Sequence, residues 1–142
     1  MIIPPMSTPR RRLAPETRQL LAQPRRVELD GIPIRYVRFA SPPRPRSYGG
    51  WGRWAAPSLG VALRRLRRRF PYDLVHAHNA VPAADAVRRS GERRPLVVSV
   101  HGGDVYYTAL QSSTGEENVR AAFGAARIVL ANSTGIAARA QA

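Results

Sequence analysis

The chain has 142 residues, which is enough for one modest domain but not for two. Its hydrophobic fraction of 44% is ordinary for a globular protein and permits a buried core. The sequence contains no cysteine, which excludes disulfides, thiolate metal sites and cysteine nucleophiles. No apolar stretch approaches about 18 residues and no basic segment precedes an apolar start, so we predict neither a spanning helix nor a signal peptide. We therefore expect a cytoplasmic protein.

The charge is concentrated in the first half of the chain. The net charge is +14, and residues 1–70 hold 16 arginines against 3 acidic residues, whereas residues 71–142 hold 7 arginines against 6. All 23 basic residues are arginine. Together with the abundance of alanine and proline, this bias is typical of a GC-rich genome and is weak evidence for nucleic-acid contacts.

The first half yields a hairpin and two irregular stretches. Residues 1–26 are basic and proline-rich, and we predict a poorly ordered segment. Two short strands, 26–30 and 32–39, are predicted across the Asp30-Gly31 pair, because Asp-Gly suits the positive φ angles of a type I′ turn. The glycines and prolines of 41–52 predict a loop.

A basic helix is predicted from Ser58, a suitable N-cap, to about residue 69. Its apolar side chains fall on one face, so it can pack on the core with a solvated arginine face. It can instead contact an anionic membrane, since arginine attracts anionic headgroups and tryptophan prefers the interface. Nucleic-acid binding is a third alternative, but no zinc finger, helix-turn-helix or RNA-binding signature accompanies the charge. The apolar face comprises Leu59, Leu63, Leu66 and Phe70, and the candidate membrane contacts are Trp51, Trp54, Arg64, Arg65 and Arg68.

The second half alternates strands and helices. Alternation with apolar strands predicts a parallel sheet covered by helices, a Rossmann-like α/β domain that we assign to residues 27–142. The predicted strands are 73–77, 95–100 and 127–131, and the predicted helices are 81–90, 114–125 and one that starts at Ser133.

Polar or small residues follow each of these three strands. The carboxyl ends of parallel strands share one edge of the sheet, where ligands bind. Strand alternation places His76 and His78 on the same side, so at most one of them faces a ligand well. The alternative is structural: Asn132 or Ser133 can simply cap a helix, and the glycine pair can simply form a turn. The candidate binding residues are His76, His78, Asn79, His101, Gly102, Gly103, Asp104, Asn132 and Ser133.

Other chemistries are less well supported. The His-x-His pair with His101 and Asp104 has the ligand types of a zinc hydrolase, but such enzymes use a closed barrel of about 250 residues. No Gly-x-Gly-x-x-Gly, Walker or Gly-x-Ser-x-Gly pattern occurs. We therefore predict no metal site, no bound cofactor and no serine triad.

Three stretches, taken in order, resemble family-4 glycosyltransferases. Residues 72–79 and 82–86 resemble the family's DxVHAHxxxPAGxAA pattern. Residues 95–105 resemble P-x-V-x-T-x-HGxDV, and residues 127–133 resemble A-x-x-V-x-A-N-S. Each motif alone is weak, but order and spacing agree, most strongly from Phe70 onward.

The resemblance implies the N-terminal, acceptor-side half of a GT-B fold. In such enzymes two Rossmann-like domains face each other, and a sugar moves from a nucleotide-sugar donor to an acceptor with retention of configuration and without metal. The resemblance also implies that His101 is catalytic and lies near the reacting sugar, in the cleft between the two domains. It implies that Asp104 and Asn132-Ser133 lie by the same cleft. Lipid-linked acceptors are common in this group, so the implied partners are a sugar or lipid-linked acceptor and the inner face of the membrane.

Two features of the family pattern are missing. Residues 1–26 show neither the first strand nor the Gly-rich loop of the family, and no donor domain with its paired glutamates is present. We expect an incomplete enzyme, inactive alone because the leaving phosphate has no preorganised site, that works with a donor domain in the same polypeptide or in trans. The alternative is a non-enzymatic basic module that binds anionic membrane or nucleic acid.

Overall fold

The computed structural model describes residues 22–43 and 47–142. Most of the predicted 1–26 segment therefore lies outside the described residues. The strands are β1 (Arg26–Leu29), β2 (Ile32–Arg35), β3 (Val75–His78), β4 (Leu96–Val100) and β5 (Ile128–Ala131). The helices are α1 (Trp51–Arg67), α2 (Asp85–Arg89), α3 (Ala109–Gln111), α4 (Ser113–Ala125) and α5 (Thr134–Gln141), with short helical turns at Tyr48–Gly50, Ala80–Ala84 and Asp104–Thr108.

The predicted hairpin is confirmed, although its second strand ends at Arg35 rather than at residue 39. Strands β1 and β2 pair antiparallel, and the turn residues Asp30 and Gly31 have φ angles of 51° and 78°. Positive φ at both central residues is what a type I′ turn requires.

The predicted parallel sheet is also confirmed, with the order β3-β4-β5. Each crossover carries helical segments, as parallel pairing demands. One sheet face packs on the helices, and buried Ala77, Val98 and Val100 form the core there with side chains from α2 and α4.

The opposite face of the sheet corrects an expectation. The sheet was predicted to be covered by helices, but exposure to solvent alternates along β3 and β5. In the part of the chain that the structure describes, Ile128 and Leu130 of β5 are 52% and 47% exposed, and His76 and His78 are exposed in the neighbouring positions of β3. The histidines therefore lie on the open sheet face near its carboxyl edge.

The boundaries of α1 differ from the prediction. The helix begins at Trp51 rather than Ser58, so the predicted loop 41–52 ends earlier, and Pro57 lies inside the helix. The reason is close packing by small residues, which the pattern of large apolar residues does not reveal. A Cβ at Gly60 would lie 2.6 Å from the Ser90 carbonyl oxygen, and one at Gly52 would overlap Asp85.

A buried carboxylate anchors this contact. Asp85 is fully buried at the start of α2 and forms ion pairs with Arg88 and Arg89. Arg89 also donates to Asn118 of α4 at 2.8 Å, and the Asn118 amide donates to the Gly49 carbonyl at 2.8 Å. A buried charge is tolerated only when paired in this way, so this network joins α2, α4 and the Tyr48–Gly50 turn that precedes α1.

Candidate functional site

Three histidines form a row at the carboxyl ends of β3 and β4. We call His76, His78 and His101 the histidine row. The ring centres of His76 and His78 are 4.7 Å apart, and those of His78 and His101 are 5.7 Å apart. All three side chains are exposed. The register explains the proximity, because His78 pairs with Ser99, two residues before His101.

Specific hydrogen bonds hold the row. Nε2 of His76 lies 2.7 Å from the Ser99 hydroxyl, and Nδ1 of His78 lies 3.4 Å from Nε2 of His101. In this second contact one ring nitrogen donates and the other accepts, in a direction set by the tautomers of the two rings. Among the described residues, no group of three or more His, Cys, Asp or Glu side chains is placed to hold a metal ion.

Asn79 ends β3 in an unusual backbone conformation. Its φ and ψ angles are 75° and 145°, in a region that costs a residue with a side chain about 1–3 kcal/mol and that tends to occur at functional sites. Its N–H donates to the Ser99 carbonyl at 2.9 Å, and its own carbonyl accepts from the N–H of Ala84 at 3.2 Å. These bonds offset the strain and fix the turn beside His78.

Asp104 connects the turns that follow β3 and β4. Its side chain is only 2% exposed, and Oδ1 accepts the N–H of Val81 at 3.1 Å. Burial raises the pKa of Asp104 above its ordinary value, although hydrogen bonds from the Val81 and Ala80 N–H groups and the nearby His101 act in the opposite direction. Oδ2 is buried and has no hydrogen-bond partner within the described residues. Asp104 is thus placed to position the two turns rather than to touch a ligand from the surface.

The glycine pair has unequal roles. Gly102 is buried with φ of 94° and its carbonyl accepts from Tyr106 N–H at 2.9 Å, so the turn after His101 requires glycine. Gly103 is exposed, and a Cβ there would meet nothing within 4 Å. Only Gly103 therefore leaves space above the backbone for a ligand.

Asn132 and Ser133 reach the same edge of the sheet but stay apart from the row. Val100 pairs with Ala131, so Asn132 is next to His101 in register, yet no hydrogen bond joins it to the histidines in the described residues. Ser133 caps α5 by accepting the N–H of Ile136 at 3.3 Å. This confirms that a helix starts at Ser133, and it supports the structural alternative for that residue.

The two tryptophans in the first turn of α1 differ in exposure. Trp51 is half-buried: its ring packs edge-on against Phe39 and Tyr48, and Nε1 donates to the Ser47 hydroxyl at 3.0 Å. Trp54 is 44% exposed, with the Arg53 guanidinium 5.3 Å from its ring centre. Of the two tryptophans among the candidate membrane contacts, Trp54 is therefore the more exposed to solvent.

The arrangement defines a Rossmann-like domain with a polar ligand edge at the carboxyl ends of its parallel strands. The sequence model of Glycosyltransferase Family 4 matches residues 8–142, which is nearly the whole chain. The chain belongs to this family.

One relative is a Bacillus subtilis (strain 168) protein, TuaC, whose name describes it as a teichuronic acid biosynthesis glycosyltransferase. The two sequences are 33% identical over 131 residues, covering 88% of this chain and 32% of the relative. The chain therefore spans about a third of the length of that protein.

Proposed function

We propose that this chain is the acceptor-side part of a retaining glycosyltransferase that moves a sugar from a nucleotide-sugar donor to a sugar or lipid-linked acceptor. The observation that carries the proposal is the histidine row at the ligand edge of a Family 4 domain. The name of the B. subtilis relative describes a biosynthetic glycosyltransferase, and this supports a proposal of sugar transfer.

In this proposal His101 is the catalytic residue. It follows β4, it is exposed, and its imidazole can accept or donate one hydrogen bond to a sugar hydroxyl. His76, His78, Asn79 and Gly103 would line the acceptor side, and Asn132 would extend the same edge. Ser133 and Asp104 would support the site through the helix cap and the turn contacts described above.

We further propose that residues 1–142 do not transfer sugar alone and need a donor-binding domain, in the same polypeptide or in trans. Stabilisation of the leaving phosphate by preorganised donors is usually the largest catalytic contribution in such reactions. The coverage of only 32% of the relative supports the same conclusion.

The test is nucleotide-sugar turnover with and without a joined donor-binding domain. We expect activity only in the longer polypeptide, and His101→Ala should lower its kcat/KM by about 100-fold or more, the usual range for a proton-transfer group. Arg120→Ala is the control, because Arg120 is exposed on α4 and within the described residues its side chain pairs with Glu116 alone. Turnover by residues 1–142 alone would contradict the need for a second domain. Full activity of His101→Ala would contradict the site.

A second candidate function is peripheral binding to an anionic membrane. Exposed side chains recur at helical spacing along the outward side of α1 and at its C-cap: Trp54, Pro57, Val61, Arg65 and Arg68. This combination of interfacial tryptophan with arginine suits anionic lipid surfaces. No helix in the described residues is long and apolar enough to cross a membrane.

Sedimentation with phosphatidylglycerol vesicles tests this second function. Because each arginine contributes roughly 1 kcal/mol near such a surface, Arg65→Ala and Arg68→Ala should each weaken partitioning about fivefold, while Arg120→Ala should not. Equal binding to phosphatidylcholine vesicles would count against a membrane role. Tighter binding to duplex DNA than to the anionic vesicles would favour a nucleic-acid partner instead.

A further inference from the structure

We propose that His78 is a positioning residue for His101, and that it leaves His101 with a lone pair on Nδ1 to accept a hydrogen bond from a sugar hydroxyl. The part concerning the sugar rests on the proposed function. The part concerning the two imidazoles stands on their geometry alone.

The two rings lie edge to edge in one plane. Their planes are within 3° of parallel and their centres are 5.7 Å apart, while the facing nitrogens, Nδ1 of His78 and Nε2 of His101, are 3.4 Å apart. The centre-to-centre distance equals the nitrogen-to-nitrogen distance plus the radii of the two five-membered rings. The centres and both nitrogens are therefore nearly collinear, and face-to-face stacking is excluded.

This geometry allows one proton between the two nitrogens. A neutral imidazole has one N–H donor and one acceptor nitrogen. If both facing nitrogens carried a proton the N–H groups would collide, and if neither did the lone pairs would repel. Each ring thus dictates the tautomer of the other, as a hydrogen bond at one nitrogen commonly does for histidine.

The direction of the bond follows from intrinsic tautomer preference. The Nε2–H form is the more common neutral tautomer of histidine in water. When His101 donates from Nε2 to Nδ1 of His78, both rings are in that form, whereas the reverse direction requires the less common form in both. His101 therefore keeps its Nδ1 unprotonated, and this nitrogen makes no hydrogen bond within the described residues.

The surrounding contacts keep the pair in register. The N–H of Asn79 donates to the Ser99 carbonyl at 2.9 Å, and Asp104 accepts the N–H of Val81 at 3.1 Å. The first bond joins the segment after β3 to β4 itself, and the second joins it to the turn that follows His101. The contact distance of 3.4 Å is long for a hydrogen bond, as is usual for catalytic contacts that shorten when substrate binds.

Nitrogen-15 NMR of the histidine-labelled chain tests the pairing directly, since the chain has 3 histidines and single substitutions assign them. We expect His101 to carry its proton on Nε2. His78→Phe should speed exchange of that proton with water about fivefold, corresponding to a net hydrogen bond of about 1 kcal/mol. His78→Asn should keep exchange slow, because the amide oxygen can take the place of Nδ1.

His76→Phe is the matched control, since His76 contacts Ser99 and the His78 ring but makes no bond to His101. A proton on Nδ1 of His101, or unchanged exchange in His78→Phe, would overturn the inference and leave the proposed function standing. In the longer polypeptide, His78→Phe should lower kcat and His78→Asn should restore it. A confirmed pairing with full transfer by His101→Ala would instead refute the proposed site and leave the pairing intact.

Discussion

Replacement of Asp104 tests whether this buried carboxylate holds the turns that carry the histidine row. The change to alanine removes the acceptor for the N–H of Val81. A buried donor left without a partner costs about 1–3 kcal/mol, so the change should lower the free energy of unfolding by about that amount. That loss corresponds to a fall in Tm of roughly 3–10 °C for a chain of this size.

The pH dependence of the stability of Asp104→Asn separates the effect of the Asp104 charge from that of its hydrogen bonds. Burial raises the pKa of Asp104 above 3.8 in the folded protein, so the folded state binds its proton more tightly than the unfolded state does. Its contribution to stability is therefore complete below about pH 4 and is lost as the pH rises through the folded-state pKa. The asparagine side chain has the shape and donor of the protonated acid, so the variant should match the wild type at low pH and exceed it at neutral pH.

Urea unfolding of the three proteins between pH 3 and pH 8 measures these differences. Asp73→Ala is the control, because Asp73 is exposed and such surface changes stay within about 0.5 kcal/mol. A loss of unfolding free energy below about 0.5 kcal/mol in Asp104→Ala would refute the role of the carboxylate in holding the turns. A difference between Asp104→Asn and wild type that does not vary with pH would refute the raised pKa.

Two glycine-to-alanine changes should have opposite effects on thermal stability, measured as Tm. In Gly60→Ala the new Cβ would lie 2.6 Å from the Ser90 carbonyl oxygen, and the forced separation of α1 from α2 should cost about 1–3 kcal/mol, more than the gain in helix propensity. In Gly124→Ala the Cβ meets nothing within 4 Å, so α4 should gain up to about 1 kcal/mol of propensity. Stabilisation by Gly60→Ala would show that the two helices are free to move apart.

Local sequence patterns predicted much of the fold because their signals are short-range. The Asp30-Gly31 turn, the apolar strand β4 and the Ser133 cap each depend on a few neighbouring residues, and all three occur as predicted. Alternation of strands and helices likewise predicted the parallel sheet, since consecutive parallel strands need a crossover.

The start of α1 could not be predicted in the same way. Glycine and proline disfavour helices locally, and 41–52 was therefore predicted as a loop. The helix forms because Gly52, Ala55, Ala56 and Gly60 permit contact with α2, which is a property of two helices together. The aromatic contacts of Trp51 with Phe39 and Tyr48 likewise depend on the tertiary structure, and its role as a membrane contact stays a prediction.

The candidate site was also predictable only in part from the sequence. Sequence order alone placed the three histidines and Asn132 at the ends of parallel strands, because all such ends share one edge of the sheet. Only the tertiary structure decided which of them meet. The register of β3 with β4 brings His78 to His101, burial turns Asp104 inward beneath them, and helix capping commits Ser133 to α5. Such pairings depend on strand register and packing, which no single segment of the chain encodes.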